Sequence, residues 1–139
     1  MSKPEAQPPV SPSDFAAIGG LNIERLTRRA LTQRVLQALS PGASPLAVAF
    51  CNAHTAEIAL RDRAYRAALD RFCVVNDGIG LEIAVRILER RGFPENLNGT
   101  DFVPALFGDL PEGSRIYLWA QRPASPKRPA AGSSSGSRT

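Results

Sequence analysis

The sequence predicts an α/β fold, a Rossmann-like parallel sheet with crossover helices. Two short apolar runs, residues 46–51 and 72–75, have the length and composition of strands buried on both faces. Each is followed by a stretch whose apolar residues recur at three- and four-residue spacing, the signature of an amphipathic helix. The joins between them are short, and alternating strands and helices with short joins imply a parallel sheet.

Three regions are expected along the chain: a leader over 1–13, a domain over 14–119 and a tail over 120–139. The leader holds four prolines and little to bury, so it is expected to be disordered. Phe15-Ala16-Ala17-Ile18, followed by Gly19-Gly20, reads as a short strand ending in a turn. Thr27 is the expected N-cap of a helix marked by Leu31, Val35, Leu36 and Leu39, which Ser40-Pro41-Gly42 stops.

After the strand ending at Cys51, residues 55–69 read as one helix. Ile58, Ala59, Tyr65, Ala68 and Leu69 mark its buried side, and Arg61, Arg63, Arg66 and Arg71 lie on or beside its wet face. The strand at 72–75 runs into Asn76-Asp77-Gly78, and a further helix follows with Ile79, Ile83, Ala84, Ile87 and Leu88 at helical spacing. A turn over 96–100 leads to a short helix around 102–107, and Ile116-Tyr117-Leu118-Trp119 reads as a last strand.

Composition excludes several function classes. Of 139 residues, 43% are hydrophobic and 22% charged, ordinary values for a single soluble domain. No run approaches the roughly 18 apolar residues that span a bilayer, and the leader lacks the apolar stretch of a secretory signal. A cytoplasmic protein is expected. The net charge of +4 is unevenly placed: residues 1–114 carry 12 basic and 13 acidic side chains, while residues 115–139 carry five basic and no acidic ones. Without a basic face on the folded part, nucleic acid is not an expected partner. Cys51 and Cys73 sit in apolar runs, and with no CxxC pair or clustered histidines they are expected to be buried thiols.

Three polar stretches stand out. Asp77, directly after a buried strand and before a helix, either caps that helix or faces a ligand in the crevice at the strands' carboxyl ends. Asn96-Leu97-Asn98-Gly99-Thr100-Asp101 is locally a turn with Thr100 or Asp101 as a helix cap. Phe50-Cys51-Asn52-Ala53-His54-Thr55 places Asn52 at the crevice and holds the chain's one histidine, His54, near a helix start, where a lone histidine is more often structural than catalytic.

The order FCNAHT, NDGIG and NLNGTDFVPAL resembles the WecG/TagA/CpsF family of glycosyltransferases, with weaker resemblance from Phe15 to Trp119. That resemblance implies an inverting transfer of an N-acetylmannosamine-like sugar from a nucleotide diphosphate donor to a lipid-diphosphate-linked sugar, in synthesis of bacterial surface or secreted polysaccharide. It implies a position at the inner face of the plasma membrane, with the nucleotide sugar as substrate, no separate cofactor and no metal. Asp77 matches the family's proposed catalytic base. Asn52, Gly99 and Asp101 match family positions at the sugar and donor sites, and His54, Asn76, Gly78 and Asn98 lie beside them as candidate substrate contacts. Phe50 stands where many members have Thr, two residues before the Asn.

The end of the chain departs further from the family. Where members continue into a Gly-rich loop, more strands and an arginine-bearing appendage, this chain turns to Pro, Ser and basic residues, with no apolar side chain larger than alanine after Trp119. The sequence therefore reads as C-terminally truncated, with residues from about 119 onward a frame-shifted or otherwise aberrant continuation. A sheet left unfinished exposes apolar edges, so little catalysis is expected of the chain alone. The alternative from the residues is a non-catalytic nucleotide-binding or interaction module.

Overall fold

The computed structural model describes residues 14–120. The leader and all but the first residue of the tail lie outside them. Nine elements follow in order: β1 (Phe15–Ile18), β2 (Leu21–Glu24), α1 (Arg28–Ala38), β3 (Val48–Cys51), α2 (Ala53–Arg61), α3 (Arg63–Leu69), β4 (Cys73–Asn76), α4 (Ile79–Glu89) and α5 (Gly99–Asp109). They form an α/β fold around one four-stranded sheet of order β1-β2-β4-β3, parallel except for β1.

The antiparallel β1–β2 hairpin turns at Gly19-Gly20, both at positive φ, which glycine adopts without the Cβ penalty. β2 has no counterpart in the sequence reading. Leu21-Asn22-Ile23-Glu24 alternates buried and wet residues over only four positions, too short a pattern to stand out.

Each face of the sheet carries its own core. On one, Leu31 of α1, Cys73 and Val75 of β4, Leu97 and Phe102 of α5 cluster. On the other, Ala56 and Ala59 of α2, Leu69 of α3, Val74 of β4, Leu81 and Val85 of α4 pack with the hairpin. Successive β4 residues thus enter opposite cores, as a pleated strand between two helical layers requires. The connection from β2 through α1 to β3 runs on the first face, and the return through α2 and α3 to β4 on the second. Neighbouring strands β2 and β4 therefore send their following helices to opposite faces. The carboxyl edge between them is the topological switch point where α/β sheets bind ligands.

Three expectations need correction. The helix read over 55–69 is two helices, broken at Asp62. That residue is extended (φ −116°, ψ 105°), ends α2, and starts α3 by accepting the Ala64 and Tyr65 N–H groups at 2.9 and 3.0 Å. An Asp side chain that can bond nearby backbone offers the chain an alternative to continuing the helix. The same stretch leaves Ala68 exposed and buries Ala56 instead.

α4 also turns a different face inward. Leu81 and Val85 are buried, whereas Ile79, Ile83, Ile87 and Leu88 are between 51% and 73% exposed. With apolar residues nearly all round the helix, spacing alone does not select the inward side. Residues 116–119 form no strand and lie open, Trp119 fully so.

Candidate functional site at the carboxyl edge of the sheet

β3 and β4 end level. Cys51 pairs with Asn76, and the next amide, that of Asp77, donates to the Cys51 carbonyl at 2.8 Å. Asn52 and Asp77 therefore leave the sheet side by side. Asn52 caps α2, its Oδ1 accepting from the Thr55 N–H at 3.0 Å and hydroxyl at 3.2 Å, which leaves its amide N–H donors free among the described residues. His54 lies on the first turn of α2, its side chain 78% exposed and its Nδ1 4.0 Å from Glu57.

Asp77 does not cap α4. The residue capping α4 is Gly78, at φ 94°, and no side chain accepts from the first turn. Asp77 is half-buried, and its carboxylate takes no hydrogen bond or ion pair among the described residues. A carboxylate held on a fixed backbone and left without a partner is available as a proton acceptor. Burial, helped by the charge of Asp77, pushes the Cys51 thiol up to about 11, so it stays neutral at ordinary pH. Cys73 is likewise raised to about 12, first by burial and then by Glu24. Both cysteines are free and buried, as small apolar side chains in the two cores.

Helix α5 brings the third stretch to the same edge. Its cap is Asn98, neither Thr100 nor Asp101: Asn98 Oδ1 accepts the Thr100 N–H at 2.8 Å and the Thr100 hydroxyl, while Nδ2 donates to Asp101 at 3.2 Å. A Cβ on Gly99 would come 3.2 Å from the Phe50 ring, so the bare glycine lets α5 start against β3. Phe50 in turn packs on Phe102 with ring centroids 6.0 Å apart. A Cβ on Gly80 would sit 3.6 Å from that of Ala53, which sets the starts of α2 and α4 beside one another. Three helix N-termini thus gather at one end of the sheet, each favouring negative charge.

The loop over 93–98 crosses the switch point and was visible in sequence only as a turn. Three hydrogen bonds hold it: Asn76 Nδ2 to the Glu95 carbonyl at 3.0 Å, the Gly78 N–H to Asn96 Oδ1 at 2.9 Å, and the Arg28 N–H to Glu95 Oε2 at 2.6 Å. Its start is fixed by Glu82, which accepts from the Phe93 N–H at 2.9 Å, and by Arg25. The Arg25 side chain, 3% exposed, lies 5.6 Å from the Phe93 ring, donates to the Arg91 and Gly92 carbonyls and pairs with Glu89.

The sequence reading did not anticipate that Glu95, Asn96, Arg28 and Arg29 come together beside this edge. A depression of about 890 Å³ is lined by the two arginines, Thr32, Gln33, Glu95, Asn96 and Asp109 among others, and not by Asp77. Polar Glu95-Asn96 directly before the Asn-rich turn was the available signal. Among the described residues no three His, Cys, Asp or Glu side chains are grouped to hold a metal ion.

The sequence model of the glycosyl transferase WecG/TagA/CpsF family matches residues 16–132. The chain belongs to that family. The match takes in the hairpin, all three polar stretches and the open segment at 116–119, and runs past Trp119 into the Pro/Ser-rich region. No curated protein and no solved structure matches the chain significantly. Family membership implies a nucleotide-sugar donor and a lipid-linked acceptor in general terms. No helix among the described residues is long and apolar enough to cross a membrane.

Proposed function

We propose that this edge is the site of an inverting hexosaminyl transfer, from a nucleotide diphosphate donor carrying an N-acetylmannosamine-like sugar to a lipid-diphosphate-linked sugar at the inner face of the plasma membrane. The observation that carries the reading is the unpartnered carboxylate of Asp77 beside the starts of α2 and α4. The acceptor hydroxyl attacks the anomeric carbon as Asp77 takes its proton, and the donor's nucleotide diphosphate departs with the bonding pair. Charge on that leaving group is met by helix N-termini rather than by a metal. The free amide donors of Asn52, with Asn98 and Asp101 at the start of α5, are placed to hold sugar hydroxyls. The backbone at Gly78 and Gly99 leaves room for close approach, and exposed His54 lines the acceptor side.

Turnover by this chain alone is proposed to be slow. The open segment at 116–119 and the exposed α4 stripe of Ile79, Ile83 and Ile87 are apolar surfaces of the kind that folded enzymes usually cover. Those same surfaces favour the second reading, a non-catalytic nucleotide-binding or interaction module.

UDP binding and single-turnover sugar transfer, measured with the Asp77→Asn variant alongside, separate the two. The transfer reading expects UDP binding by both proteins and transfer only where Asp77 is present. UDP binding with no transfer even at excess protein favours the module. Absence of UDP binding contradicts the transfer reading and leaves only the interaction form of the module.

A further inference from the structure

We propose that Asn96 is a positioning residue for Asp77: by holding the Gly78 N–H it keeps the neighbouring carboxylate out of the cap of α4 and free to take a proton. The proposal rests on the reading of Asp77 as the base and names the residue that holds it in that role.

Two peptide groups meet at the Asp77 Cα, and each is pinned by one hydrogen bond. The first is fixed by the sheet, where the Asp77 N–H donates to the Cys51 carbonyl at 2.8 Å. The second is fixed from outside the sheet, where the Gly78 N–H donates to Asn96 Oδ1 at 2.9 Å. With both planar groups held, the direction of the Asp77 Cα–Cβ bond is set. The second bond also holds Gly78 at φ 94° and ψ 159°, a conformation that glycine reaches and other residues rarely do.

Asn96 can do this because its loop is anchored on either side of it. Phe93 is buried in the core on one face of the sheet and Leu97 in the core on the other, so residues 94–96 are drawn across the carboxyl edge. Asn76, 1% exposed, adds a clamp by donating to the Glu95 carbonyl at 3.0 Å. The loop thus grips β4 on both sides of Asp77, through the residue before it and the residue after it.

Helix chemistry shows what the Asn96 bond prevents. Aspartate at a helix start readily accepts from the first-turn N–H groups, and in α4 no side chain does so. Asp77 stands one residue before the Gly78 cap position, yet its carboxylate takes no such bond among the described residues. Turning the 77–78 peptide would bring it into that role, and the bond to Asn96 resists the turn. As a cap, Asp77 would direct its lone pairs to α4 N–H groups rather than to a substrate proton.

Urea melts of the full chain test this without requiring turnover. Against wild type, Asp77→Ala removes no hydrogen bond and is expected to leave the midpoint where it is. In the Asn96→Ala background Asp77 caps α4, so the same substitution is expected to lower the folding equilibrium about fivefold, the scale of a lost cap. Asn96→Asp keeps an oxygen for the Gly78 N–H and is expected to make Asp77→Ala silent again. Should Asn96→Ala fail to fold, Asn96→Leu, of similar size and without the acceptor, takes its place. Single-turnover transfer is expected to fall about tenfold in Asn96→Ala while UDP affinity stays within about twofold, and to recover in Asn96→Asp.

An equal effect of Asp77→Ala in both backgrounds, transfer unaffected by loss of Asn96, or a loss of UDP affinity matching the loss of transfer overturns the positioning role. The two proposals fail separately. No transfer by wild type, with the melts as expected, sinks only the transfer reading. Asp77-dependent transfer with melts indifferent to Asn96 sinks only the positioning role.

Discussion

The amide of Asp77 donates to the carbonyl of Cys51 at 2.8 Å, carrying the β3–β4 ladder one step past its last paired residues. That bond fixes the backbone of the candidate base while leaving its carboxylate free. A base needs both properties: a set position, and no internal partner competing for the proton it is to take.

Asp77→Asn therefore should cost little stability, within about 0.5 kcal/mol, because no side-chain hydrogen bond is lost. Single-turnover transfer should fall by about 100-fold or more, the scale of general-base catalysis. Thermal melts and a donor-consumption assay check the two halves, and a large stability loss would mean that the carboxylate has a structural partner.

Gly99→Ala should destabilise the chain by about 1 kcal/mol, since the new methyl presses on the Phe50 ring at 3.2 Å. Phe50→Leu in the same chain should recover part of that loss. Urea melts of the two single variants and the double variant measure the coupling, and simple additivity would deny the contact.

Arg25→Ala should be the most damaging of these substitutions, at about 2–4 kcal/mol. It strips the donor from the Arg91 and Gly92 carbonyls and leaves Glu89 without its ion partner. Because Arg25 anchors the start of the 93–98 loop, hydrogen exchange over that loop should quicken even where the fold survives.

Stability should decline as pH rises from about 9 toward 11. The Cys51 thiol, raised by burial and by Asp77 from 9.0 to about 11, ionises first in the unfolded chain. Its contribution is complete below the unfolded value and is lost as pH climbs through the folded one. Cys73, at about 12, extends the same trend. Alkylation at pH 8 should accordingly be slow in the native state and rapid in urea. Cys51→Ala should flatten the pH slope in chemical melts.

Much of this architecture was legible in residue patterns. The strands in the runs ending at Cys51 and Val75, the Thr27 cap and the Gly19-Gly20 turn each depend on local chemistry, and each is present, but β3 is a half-buried edge strand over Val48–Cys51 rather than one buried on both faces. The split at Asp62 was not, because an aspartate between two helical stretches reads equally well as a wet-face residue. The inward face of α4 was not, because Ile, Leu and Val surround that helix and only packing against the hairpin selects Leu81 and Val85.

The position of Asn52, Asp77 and Gly99 at the carboxyl edge was legible because polar residues and glycine follow strands or open helices there. The contact between Glu95 and the start of α1 was not legible, because it depends on a loop folding across the sheet from 67 positions away in sequence.

The most direct test of the account is hydrogen exchange on the purified chain with and without UDP. The account expects slow exchange across the sheet and helices over residues 46–109, with UDP adding protection at residues 76–80 and around the start of α5. Rapid exchange throughout, or a folded core whose carboxyl edge is indifferent to UDP, would contradict the claim that this edge is a nucleotide-sugar site.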